Sequence, residues 1–131
     1  MFGLFKAKEL KLISSALDQL ESRIGPSIAF SEARNAAEKE IEANRQSFIN
    51  AVAVQKTPPA QIAAVAIANT SGDMLETGQL CMYRGLLSLA GEEMMKVFHD
   101  ALEQLVRMGA MTQEQMDEQL ANVRKSIRTV G

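Results

Sequence analysis

Residues 58–72 read PPAQIAAVAIANTSG, and no other stretch limits the possible folds as much. Prolines at positions 58 and 59 suit the first turn of a helix, where backbone N–H groups lack helical partners in any case. Thr57 ahead of them is a fitting cap. Ile62, Val65 and Ile67 then leave a helix that is apolar nearly all round. A helix without a polar face belongs among other helices, so the pattern predicts a short, central, buried helix ending at Gly72.

The other segments read as one-sided helices. Leu10, Ile13, Leu17, Leu20 and Ile24 recur at 3-4-3-4 spacing, a single helical stripe that Gly25-Pro26 closes. A second helix is predicted from about Ser31 to Gln55 on Ala33, Ala37, Ile41, Phe48 and Val52, with Asn44 as a polar interruption. Asp73 with Glu76 resembles a capping box and predicts a fourth helix bearing Leu75, Met82, Leu86 and Leu89. Ala90-Gly91 is expected to kink or divide it. Met95, Phe98, Leu102 and Leu105 follow, and Gly109 ends that segment. Thr112 with Gln115 is the clearest helix start. The last helix carries Met116, Leu120, Val123, Ile127 and Val130. Nothing reads as a strand. The expected fold class is all-α: a single-domain helical bundle of five or six helices with short connections, covering 1–131, with residues 1–9 set apart as an apolar and basic N-terminal segment.

Composition fits that reading. Hydrophobic residues make up 47% of the 131 and charged residues 23%, enough for a core without metal or disulfides. Aromatics are only 5%, so Leu, Ile, Val, Ala and the eight methionines must build the interior. A net charge of −2 offers no basic excess for nucleic acid. One cysteine cannot form an internal disulfide, and charged residues from Lys6 onward interrupt any leader-like apolar run. The expected compartment is the cytoplasm.

The stretch GQLCMYRG at 78–85 holds the single cysteine, the single tyrosine and an arginine between two glycines. On a helix, Gly78, Cys81, Gly85 and Ser88 share one face of small residues, which lets another backbone approach closely. Ala60, Ala64, Ala68 and Ser71 form a second such ridge. The two are expected to meet within one chain or between two copies, with Cys81 a small buried thiol. Tyr83 and Arg84 point away from the ridge and are residue types enriched at interfaces.

Glu92, Lys96, His99, Glu103 and Arg107 share a charged face with favourable i,i+4 pairs. His99 and Glu103 alone do not complete a metal shell, and no cofactor is expected. Met94, Met95, Met108, Met111 and Met116 concentrate around the last two helices, where they fill the core or line a soft groove. Phe2 and Phe5 precede Lys6, Lys8 and Lys11, an arrangement suited to core cover, self-association or an anionic membrane surface. No phosphate loop, nucleophile elbow, zinc-protease motif or paired cysteines occur.

These features point to a non-enzymatic helical protein–protein interaction module that associates with itself. Its candidate contacts are Phe2, Phe5, Gly78, Cys81, Tyr83, Arg84, Gly85, Met108 and Met111. Two further readings fit the same residues: a peripheral membrane protein held by its N-terminal segment, and a small-ligand binder or enzyme with a pocket near Cys81.

Overall fold

Several helix boundaries have a local cause that can be read from their residues. The computed structural model describes residues 7–77 and 87–130, and these residues form six helices and no strand. They are α1 (Lys8–Ile24), α2 (Ile28–Ala43), α3 (Arg45–Ala53), α4 (Pro59–Thr77), α5 (Leu87–Arg107) and α6 (Gln113–Val130).

Gly25 ends α1 with φ +105°, a backbone angle that side chains resist and glycine accepts. The cap of α2 lies four residues earlier than Ser31, at Ser27: the Phe30 N–H donates to Ser27 Oγ at 3.0 Å. The single helix expected through Gln55 is two helices. At Asn44 the backbone leaves helical geometry (φ −123°, ψ 37°), and the Asn44 amide Nδ2 donates to the Glu40 carbonyl at 3.0 Å. That side-chain bond offers the chain an alternative to continuing the helix. α5 closes in a Schellman motif, with Gly109 at φ +77°, its N–H on the Val106 carbonyl and the Ala110 N–H on the Leu105 carbonyl. α6 opens with the expected capping box: Gln115 N–H to Thr112 Oγ1 at 3.1 Å and Thr112 N–H to Gln115 Oε1 at 2.9 Å.

The nearly all-apolar helix is central. α4 packs against α1, α2, α5 and α6. Ile62, Ala63 and Ala64 are buried in succession, as are Thr70, Ser71 and Gly72, so burial wraps more than one face. Around it stand Leu10, Ile13 and Leu17 of α1, Phe30 and Ala33 of α2, and Met94, Phe98 and Leu102 of α5. Two hydroxyls go inside with α4, and both have carbonyl partners. Ser71 Oγ donates to the Ile67 carbonyl at 2.6 Å, and Thr70 Oγ1 lies 2.8 Å from the Ala66 carbonyl and 3.1 Å from the Ala33 carbonyl in α2.

Gly72 does not end this helix, and Asp73 and Glu76 lie inside α4 rather than at a start. A Cβ placed on Gly72 would come 2.9 Å from Cε1 of Phe98, so the missing side chain is what lets the Phe98 ring of α5 seat against α4. The contact outweighs the roughly 1 kcal/mol that glycine costs in a helix interior. Gly91 likewise sits within α5 and does not divide it.

Arg34 ties α2 to α1. Its guanidinium reaches Asp18 at 2.7 Å and Glu21 at 3.4 Å across the gap, and Glu38 at 2.8 Å along its own helix. Burial disfavours its charge, but the hydrogen bonds to Glu38 and Asp18 more than offset this and raise its pKa.

The Gly72–Phe98 contact has a measurable consequence. Gly72→Ala adds about 1 kcal/mol of helix propensity but displaces a buried ring, which costs about 1–3 kcal/mol. The expected net result in urea unfolding is a loss of about 1 kcal/mol. In a Phe98→Leu background the same change should be neutral or stabilising. A stabilising Gly72→Ala in the wild-type chain would show that the contact does not set the helix spacing.

Candidate functional site

The break at Asn44 leaves α3 short and shallow. None of its nine residues is buried, and Phe48, Ile49, Ala51 and Val52 are only partly covered. α3 packs on α1 and α2 at one end of the bundle and leaves a cleft between α2 and α4. The cleft has a volume of about 220 Å³ and is open on one side. Ala37 and Ile41, one turn apart on α2, and Ile62 of α4 form its floor, all buried. Phe48 of α3 forms one wall, and Val65 and Ala66 of α4 continue the apolar lining toward the mouth. Val65 is 39% exposed there. The polar groups stand at Glu40, Thr57, Gln61 and Asn69, and Glu40 carries the only charge among the described lining side chains.

The groove is an apolar cleft with its polar groups at the edge. Its lining contains no histidine, cysteine or lysine to act as nucleophile or base. Its size matters: a cavity of roughly 150 Å³ lined by apolar side chains already admits benzene, so a phenyl ring or a branched aliphatic side chain fits.

The residues singled out from the sequence fall elsewhere. Phe2, Phe5, Gly78, Cys81, Tyr83, Arg84 and Gly85 lie outside the described residues. Of the methionines, Met94 and Met116 are buried in the core, Met95 and Met111 pack partly against it, and Met108 is 40% exposed beyond the end of α5. Met108 and Met111 do not line the groove. The ridge on α4 is internal: Ala64, Ala68 and Ser71 are buried, while Ala60 is exposed. The groove itself was missed because its lining comes from three helices at spacings that each look like ordinary core. The signal that bears on it is Asn44, the polar residue that interrupts the second stripe.

The charged face around His99 is an interhelix tie. Glu103 pairs with Arg107 at 3.3 Å as expected, but Lys96 turns to Asp100 at 2.8 Å instead of Glu92. Lys96 Nζ also donates to the Ile24 carbonyl at 2.8 Å, satisfying the C-terminal end of α1. His99 Nδ1 lies 3.0 Å from the other Asp100 oxygen. Among the described residues no group of three or more His, Cys, Asp or Glu side chains could hold a metal ion. No described helix is long and apolar enough to cross a membrane. No protein-family model, no curated protein and no solved structure matches the chain.

Asp100 makes this tie pH-dependent. Burial pushes its carboxyl up, but the hydrogen bonds from Lys96 and His99 outweigh burial and lower the pKa below its ordinary value. A depressed folded-state pKa contributes stability above the unfolded carboxylate range, and that stability is lost as pH falls through the lowered value. Wild type and Asp100→Asn should therefore differ most in unfolding free energy near neutral pH. The gap should close below about pH 4. A gap that stays constant down to pH 2 would show that the carboxylate charge is not what holds the tie.

Proposed function

We propose that the chain is a non-enzymatic protein–protein interaction module that associates with a second copy of itself through the α2–α3–α4 groove. The observation that supports this reading is the groove's form: an apolar floor and walls, an open mouth, and one acidic group at the rim. Apolar surface left facing water forgoes roughly 25 cal/mol for each Å² that a partner could cover. A partner side chain seated in a preformed cleft also loses little entropy of its own if it is aromatic or branched. A cytoplasmic setting accords with the single cysteine in 131 residues.

The test is the solution mass by size-exclusion with light scattering over a tenfold concentration range, for wild type and for Val65→Lys. Val65 is at the mouth and partly exposed, so a lysine there leaves the core intact and places a charge in the docking path. Wild type is expected above the monomer mass and Val65→Lys at it, with the same helical circular dichroism. A monomeric wild type would overturn self-association. A Val65→Lys variant as large as wild type would move the contact to another surface.

A further inference from the structure

Building on self-association through the groove, we infer that its occupant is the N-terminal segment Met1-Phe2-Gly3-Leu4-Phe5-Lys6 of the second copy.

The chemistry matches on both sides. Four of the six residues, Met1, Phe2, Leu4 and Phe5, are large and apolar, and Lys6 follows them directly. The groove offers an apolar cleft of about 220 Å³ with Glu40 as the only charged side chain among the described lining residues. A phenyl ring fits within that volume, and Lys6 or Lys8 then meets Glu40 at the rim, where opposite charges favour the register and the encounter. No other stretch of six residues in the chain combines two phenylalanines with an adjacent lysine.

The topology brings segment and groove to the same end of the bundle. α1 and α2 are joined by three residues and run antiparallel, with Arg34 paired to Asp18 partway along. α4 runs antiparallel to α2: Thr70 meets the Ala33 carbonyl near one end, and Ile62 shares the groove with Ile41 near the other. The start of α1 at Lys8, the end of α2 at Ala43 and the start of α4 at Pro59 therefore lie together. Residues 1–6 join the bundle at the end that carries the groove, and six residues span at most about 20 Å.

The second copy, rather than the same chain, is the donor because the groove is the self-association surface proposed above. No α1 residue lines the groove. α3 packs on α1 and supplies Phe48 to the groove wall. Two copies that exchange segments in this way form a closed twofold pair, in which each groove and each segment is used once.

The experiment uses the full chain in two forms. Phe2→Ser/Phe5→Ser should weaken the dimer at least about 30-fold, the loss expected for removing an interface anchor, with unchanged helix content. In parallel, p-benzoylphenylalanine in place of Phe2 is photo-cross-linked in a mixture of tagged and untagged copies. The expected product joins the two copies, maps to residues 61–69, and is lost with Val65→Lys. A dimer that ignores Phe2→Ser/Phe5→Ser, or a cross-link mapping away from the groove, would overturn this inference and leave self-association standing. A monomer whose cross-link is purely within one chain would overturn both and make the chain's own segment the occupant.

Discussion

A helix that buries most of its circumference needs neighbours on several sides, and α4 is that helix, with one narrow stripe at Val65, Asn69, Asp73 and Glu76 left exposed. After Pro59 its first turns offer only Gln61 as a polar residue among Ala, Ile and Val, so most of their surface has to be covered. The other helices are arranged by this demand. α1 and α2 share α4 while standing far enough apart that Arg34 has to bridge them to Asp18. α5 seats Phe98 against α4 where Gly72 has no side chain. The polar atoms carried inside, Thr70 and Ser71, are satisfied by carbonyls of α4 itself and of α2.

The groove follows from what is left over. Once α4 is enclosed by α1, α2 and α5, the chain between α2 and α4 has only the short α3 to cover their near end. Asn44 turns it away from the α2 axis, and none of its residues becomes buried. Phe48 reaches the cleft but does not fill it. The same residues that make α2 and α4 good core elements, Ala37, Ile41 and Ile62, thus form the floor of the open groove. Core and groove share one apolar surface, and its boundary is set by where α3 stops.

Much of the fold is legible in single segments. The stripe from Leu10 to Ile24, the central character of residues 60–68 and the Thr112–Gln115 capping box all follow from local spacing and chemistry. The misreadings concern residues whose role depends on a distant neighbour. Gly72 looks like a helix end until Phe98 is known to occupy the space beside it. Asn44 looks like a tolerated polar residue until its amide is seen on the Glu40 carbonyl. Ser27 and Ser31 are equally good caps in isolation, and the position of Phe30 in the core selects Ser27. The groove was the least legible feature, since Ile41, Phe48 and Ile62 each resemble ordinary core positions and only their assembly leaves a gap.

Native-state amide hydrogen exchange, read residue by residue by NMR, tests the central claim most directly: α4 is the axis of the fold and α3 its least secured helix. Burial on several sides should tie the Ile62–Leu75 amides to global unfolding, giving them the strongest protection in the chain. The amides of Arg45–Ala53, with no buried side chain to anchor them, should exchange through a local opening of lower free energy. Protection of α3 equal to that of α4, or exchange of α4 ahead of α3, would contradict this picture of a central helix and a loosely roofed groove.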